Sequence, residues 1–160
     1  LFMGGESTPS RSLVQSAGHA YRLPRSRVKE EFARHGELLV LMLRYTQALI
    51  TQVAQTAVCN RLHTLDKQLC RWLLMTLDRT GGDEIRVTQE TIAHMLGVRR
   101  EGVTEAAIKL QKAGVIRYAR GRIQVLGRAG LEARSCECHS VVKREYERLL
   151  TGPGDFALVA

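Results

Sequence analysis

Three short stretches of this 160-residue chain carry side chains whose types and spacing could do chemistry. The first is Arg100-Glu101, with Glu105 one helical turn further on. A guanidinium can donate two parallel hydrogen bonds to guanine O6 and N7, and a carboxylate can accept one from cytosine N4. An Arg/Glu pair in the first turn of a helix therefore suits the reading of a G·C step, although a charged pair on a solvated face has the same sequence. The second stretch is Arg120-Gly121-Arg122, a poor core former and a good phosphate clamp. Basic hairpin tips also serve as plain solubilising edges. The third is Cys136-Glu137-Cys138-His139. A C-x-C-H cluster is a weak metal signal, because a closed structural zinc site usually draws on two separated ligand pairs. His19, His35, His63 and His94 are possible distant donors, but nothing in their spacing recommends them. The expectation is therefore no metal and no cofactor, with the cluster opening a last helix from Leu131 to Leu150. Cys59 and Cys70 fall among helical apolar positions and read as small buried hydrophobes.

These groups need elements to hold them. Thr88 can cap a helix TQETIAHML, with Glu90 in its first turn, where a hydroxyl acceptor and an acid are both favoured. Ile92, Ala93 and Leu96 face inward, and Gly97 reverses the chain. A second helix runs from about Arg100 to Ala113 with Val103, Ala106, Ala107 and Leu110 inside, and Gly114 as its C-terminal cap. Arg100, Glu101, Gly102, Glu105 and Lys109 then form the outer face. Two short helices joined by a tight glycine-containing turn make a helix-turn-helix. The first-turn residues of its second helix are those that reach base edges in a major groove. Val115 to Arg120 and Arg122 to Leu126 alternate as two strands, with Gly121 at the bend, and read as a wing. Thr88, Gln89 and Arg99 join Arg120 and Arg122 as candidate phosphate contacts, because helix N-termini and turns lie against the backbone.

Upstream, EIRV (Glu84 to Val87) makes a short strand and Thr64 can cap a helix LDKQLCRWLLMTLDR, ended by Gly81-Gly82. Its inward face is Leu65, Leu69, Trp72, Leu73, Met75 and Leu77. Glu37 to about Asn60 is the longest helical pattern, and its apolar residues cover more than one stripe. Such a helix must be covered on two sides. One side can be its own domain and the other a second copy of the chain through Leu38, Met42, Tyr45, Leu49 and Val53. A core helix of one larger domain is the alternative. Further back, residues 11 to 23 look like two short strands broken at Ala17-Gly18, and Ser26 could cap a short helix, RVKEEFAR, ended by Gly36.

Charge agrees with a polyanionic partner. The net charge is +8, and between Gly97 and Ser135 nine basic residues face three acids. A focused positive field of that kind captures phosphate backbone, while a solvated basic surface has the same composition. The hydrophobic share of 44% allows a buried core. No apolar run is long enough to span a bilayer. The first residues lack the basic region, apolar run and cleavage site of a signal peptide. The chain opens without Met on what reads as mid-domain sequence, so truncation is expected. There is no phosphate loop, no G-x-S-x-G and no H-E-x-x-H, and no enzyme activity is expected.

The run VTQETIAHMLGVRREGVTEAAIKLQKAGVIRYARGRIQVLGRAGLE resembles the winged-helix domain of the Crp/Fnr family of bacterial transcription regulators. The likeness continues upstream through LDKQLCRWLLMTL and the long helix, over about residues 37 to 135. It implies a mainly α fold with a small β-wing, placed behind a dimerisation helix and a remnant of a β-barrel sensor domain. It also implies a cytoplasmic homodimer on double-stranded, two-fold symmetric DNA, with RNA polymerase as a possible partner and no membrane. The family reads bases with an R-E-x-x-x-R pattern, matched here by Arg100 and Glu101. Glu105 stands where the second Arg is expected, and a carboxylate cannot make the guanine contact. The N-terminal strands resemble the end of the family's cyclic-nucleotide-binding-like barrel, with Glu6 and Arg11 matching its phosphate-holding segment. Val53 and Ala54 fall where cyclic-AMP-binding members place hydroxyl residues, so no nucleotide is expected here. The resulting division is 1–24 barrel remnant, 25–61 short helix plus dimerisation helix, 62–135 winged helix-turn-helix, 136–150 C-terminal helix and 151–160 tail. The competing readings are a metal-responsive winged-helix repressor using Cys136, Cys138 and His139, and a winged helix used only for protein contacts.

Overall fold

The structure is a computed structural model that describes residue 14 and residues 17–151. The expected first strand near residue 11 and the Glu6 and Arg11 positions lie outside the described residues. The expected second strand does not form. Residues 17–24 carry no strand and are exposed throughout. A strand needs a hydrogen-bonding neighbour, and among the described residues none lies beside this one.

The helical order follows the sequence. α1 (Arg25–Ala33) starts after Pro24 rather than on a Ser26 cap. Its end differs too, because His35 takes the left-handed conformation (φ 52°) expected of Gly36. Gly36 is extended and is the N-cap of α2 (Glu37–Leu62). α3 (Leu65–Thr80) begins beside Thr64 without a side-chain cap and ends at left-handed Gly81. β1 (Glu84–Arg86) leads into α4 (Gln89–Leu96), where the Thr88 side chain accepts a hydrogen bond from the Thr91 amide. Gly97, left-handed, turns the chain into α5 (Arg100–Lys112). β2 (Ile116–Ala119) and β3 (Arg122–Val125) follow.

The expected single last helix is two. α6 (Arg128–Arg134) stops at Ser135, whose backbone is extended, and α7 (Glu137–Leu150) starts after Cys136 as N-cap. The break redirects α7 along α2. Had Leu131–Leu150 been continuous, Cys136 would lie inside a helix instead of at its mouth.

One apolar core joins α3, α4, α5, α6 and the sheet. Leu69, Leu73, Leu74, Ile92, Val103, Ile116, Ile123 and Leu131 are all but fully buried in it. Burying one such side chain is worth about 1.5–3 kcal/mol, and every inward position expected on α4 and α5 is buried. Cys70 lies in this core as expected, and burial pushes its thiol up to about 11. The three strands are antiparallel in the order β1-β3-β2, so the last strand in sequence is the central one. No helix among the described residues is long and apolar enough to cross a membrane.

α2 shows two different sides. Ala48 and Cys59 are buried against the chain, and Gln52 and Gln55 reach Tyr146 and Cys138 of α7. On the opposite side Leu43, Ile50 and Val53 are 54%, 61% and 62% exposed. The stripe is rotated from the one expected: Leu38 and Met42 are half-buried, and Tyr45 makes an edge contact with Tyr146. Leu49 and Val53 remain exposed. The difference has a simple origin, since α7 occupies the flank that the sequence left open.

Candidate nucleic-acid interface

Two adjacent positive-φ residues build the wing tip. Arg120 (φ 50°) and Gly121 (φ 74°) occupy the turn between paired Ala119 and Arg122. A two-residue hairpin with both central residues left-handed has the twist of a type I′ turn, which matches that of its strands. Arg120 bears the cost of a left-handed Cβ, and its side chain projects from the tip. The hairpin does not stand alone. β1 pairs with β3 through Glu84↔Gln124, Ile85↔Ile123 and Arg86↔Arg122, and the Val87 amide donates to Gly121 O at 2.9 Å.

That anchoring brings the wing beside the helix-turn-helix. Thr88, Gln89, Glu90, Arg100, Tyr118, Ala119, Arg120 and Gly121 line one open groove of about 510 Å³. The groove therefore unites Arg100, the first residue of α5, with the N-terminus of α4 and the wing tip. Glu101 and Glu105 are exposed on the same helix, and Arg99 is its exposed N-cap. Arg99, Arg100, Arg120 and Arg122 have no ion-pair partner among the described residues, unlike several cations elsewhere in the domain. Lys109 is drawn back to Asp66 at 3.1 Å, and Arg128 is held by Asp78 at 2.5 Å and Glu132 at 2.8 Å. Arg100 and Arg120 thus bring two cations without an ion-pair partner to the groove, beside the Glu90 carboxylate.

Not every expected contact residue is free. The Thr88 hydroxyl caps α4 and pairs with Thr91 at 2.8 Å. Gln89 accepts from Thr104 Oγ1 at 2.8 Å, which ties α4 to α5 and leaves its amide N–H groups as donors. Gly102, read as an outer position, packs against α3, where an added Cβ would lie 2.8 Å from a Leu65 methyl. Sequence reasoning missed Tyr118. Its hydroxyl donates to Val87 O at 3.3 Å, and burial raises its pKa, opposed by the nearby Arg100 charge. Alternation along β2 was the available signal, since Tyr118 pairs with Ile123 and shares its face.

The cysteine expectations need correction. His139 turns away from Cys136 and Cys138, and its Nε2 donates to Asp78 Oδ2 at 2.8 Å. The residues that do meet these cysteines are Cys59 and His63, which the sequence reading had left apart. An i, i+4 spacing at a helix end puts two side chains on one face, and that was the missed signal.

Among the described residues, seven helices and a winged three-stranded sheet in this arrangement define a winged helix-turn-helix protein. Residues 67–134 match the model of the Crp-like helix-turn-helix domain. Among solved structures the chain is similar to a transcriptional regulator of the Crp/Fnr family from Eubacterium rectale. The identity is 26%, the TM-score 0.51, and the match covers 73% of this chain and 52% of that one. It is also similar to a CRP-family transcriptional regulator from Thermus thermophilus. There the identity is 25% and the TM-score 0.48, over 54% of this chain and 47% of that one. The chain thus spans about half the length of the solved structures it matches. No curated protein matches it.

Proposed function

We propose that this chain is the DNA-binding part of a transcription regulator, with α5 in the major groove and the wing on the flanking phosphates. The observation that carries the reading is the groove uniting Arg100, the start of α4 and Arg120, edged by arginines without ion-pair partners. Arg100 and Glu101 read bases, with Glu105 as a third reader whose carboxylate accepts from cytosine rather than donating to guanine. Thr88, Gln89, Arg99, Arg120 and Arg122 hold phosphates. Thr88 does so through its hydroxyl while capping α4, and Gln89 through its free amide N–H groups. The mechanism is recognition, with no bond made or broken.

Two copies joined along α2 would present two such surfaces to half-sites about 34–36 Å apart, one helical turn of DNA. Leu43, Leu49, Ile50 and Val53 are among the exposed apolar residues of α2 available for that contact. The whole regulator is cytoplasmic in this reading, and RNA polymerase is a further partner.

Selection of bound sites from random duplex DNA tests the reading directly. The expected result is a palindromic consensus containing G·C steps, with affinity falling steeply as salt rises. Enrichment of no sequence, or salt-insensitive binding, would overturn it in favour of a protein-contact module.

A further inference from the structure

Away from the groove, four side chains of metal-ligand type converge where the end of α2 meets the start of α7. Cys59 lies in the last turn of α2 and His63 is its C-cap, while Cys136 is the N-cap of α7 and Cys138 lies in its first turn. Their ligand atoms all lie within 4.8 Å of one another. Cys59 Sγ is 3.6 Å from Cys136 Sγ, and Cys138 Sγ is 3.5 Å from His63 Nδ1. Zinc bonds of about 2.3 Å to sulfur and 2.0 Å to nitrogen give tetrahedral edges of about 3.5–3.8 Å. Both distances fall in that range. A disulfide would need its sulfurs at about 2.05 Å.

The surroundings are those of a closed site. Cys59 and Cys138 are fully buried, Cys136 is 6% exposed, and the His63 side chain is 12% exposed. His63 presents Nδ1 to the cluster while Nε2 lies 3.3 Å from Glu137 Oε1, so a carboxylate orients the ring from behind. Gln55 Nε2 donates to Cys138 Sγ at 3.2 Å, as an amide does to a thiolate ligand.

Arg71 supplies an independent observation. The residue is 5% exposed, its Nη2 donates to Thr56 Oγ1 at 2.6 Å, and its buried Nε has no hydrogen-bond partner. Among the described residues no carboxylate pairs with it, yet its charge acts on Cys59. A lone buried cation is costly. A zinc ion held by three thiolates and a neutral imidazole carries a net charge of −1, which is the counter-charge Arg71 lacks.

We propose that Cys59, His63, Cys136 and Cys138 form a closed site for one zinc ion, which fastens the end of α2 to the start of α7. Binding releases three thiol protons to solvent as three zinc–sulfur bonds form, and no electron is transferred. The ion would fix the angle between α2 and the helix-turn-helix, since His63 sits between α2 and α3. The site stands whether or not the groove binds DNA.

The test uses the full chain, reduced, stripped with chelator and titrated with cobalt(II) and then zinc(II). One equivalent of cobalt should give the intense visible bands of tetrahedral coordination with a thiolate charge-transfer band, and one equivalent of zinc should erase both. Cys59→Ser and Cys138→Ser should each lower the charge-transfer band by about a third, one of three thiolates. Each should also weaken zinc binding by about ten-fold or more. Cys70→Ala, outside the cluster, should leave the spectrum unchanged. Because a ligand variant can fail to fold, the parent spectrum decides by itself. A weak octahedral spectrum, or binding well below one equivalent, overturns the site. So does a charge-transfer band undiminished in a folded Cys59→Ser chain.

Discussion

Arg100 and Arg122 are both exposed arginines of one basic surface, but their positions assign them different work. Arg100 opens α5; if that helix enters a major groove as proposed, Arg100→Ala should cost about 1–3 kcal/mol on the selected site and relax preference at one base pair. Arg122 begins β3 opposite Arg86 and faces the flank of the interface. Arg122→Ala should weaken selected and random DNA alike and lower the salt slope by about one. Competition binding at several salt concentrations separates them, and equal losses on both DNAs for Arg100→Ala would contradict base reading. Much of this surface was legible in the chain, because a cap such as Thr88, a turn such as Gly97 and the inward row Val103, Ala106, Leu110 are local signals. Arg71 and the Cys59–His63–Cys136–Cys138 cluster were not. The contact between Cys138 and His63 joins residues 75 apart in sequence, and no helical period records such a meeting.

Asp78 shows how elements are fixed to one another. It lies on α3 and receives hydrogen bonds from Arg128 of α6 and His139 of α7, so one carboxylate ties three helices. Burial raises its pKa, but the bonds from His139 and Arg128 outweigh that, and the net shift is downward from 3.8. A carboxyl depressed in the folded state contributes stability that is full above its unfolded value and lost as pH falls through its folded one. The thermal unfolding midpoint should therefore drop as pH is taken below 3.8. Asp78→Asn should cost about 1–3 kcal/mol at neutral pH and flatten that acid limb. An unchanged acid limb in the variant would show that other carboxylates govern it. The expected domain division has a boundary between residues 135 and 136, but the helical reading runs through it from Leu131, because Ser135 and Cys136 are neither glycine nor proline. The extended backbone there is imposed by packing of α7 on α2, not by local preference.

For the molecule as a whole, α2 is the element with the most unfinished business. Its side away from α7 leaves Leu43, Ile50 and Val53 in solvent, and contiguous exposed apolar residues mark a contact surface. Ile50→Asp should shift the sedimenting species from dimer to monomer and lower affinity for a palindromic site. The unfolding midpoint of the winged domain should barely move, since Ile50 is 61% exposed in the single chain. Equal sedimentation of parent and variant would remove α2 as the contact. The apolar pattern of α2 leads to the expectation of two covers; Tyr45, Leu49 and Val53 of the expected stripe are exposed, while Leu38 and Met42 are half-buried.

The sheet order has a consequence for how the reading surface comes into being. β3 sits between β2 and β1, and its partner Arg86 precedes both helices of the helix-turn-helix while Arg122 follows them. Everything between those residues is a loop whose ends are stitched together, and the entropy of closing it is recovered only once both strands are in register. Neither α5 nor the wing tip can then come loose by itself. Fraying β1 would loosen the wing and the helix-turn-helix together, so the groove between them should open in one cooperative step, not by degrees.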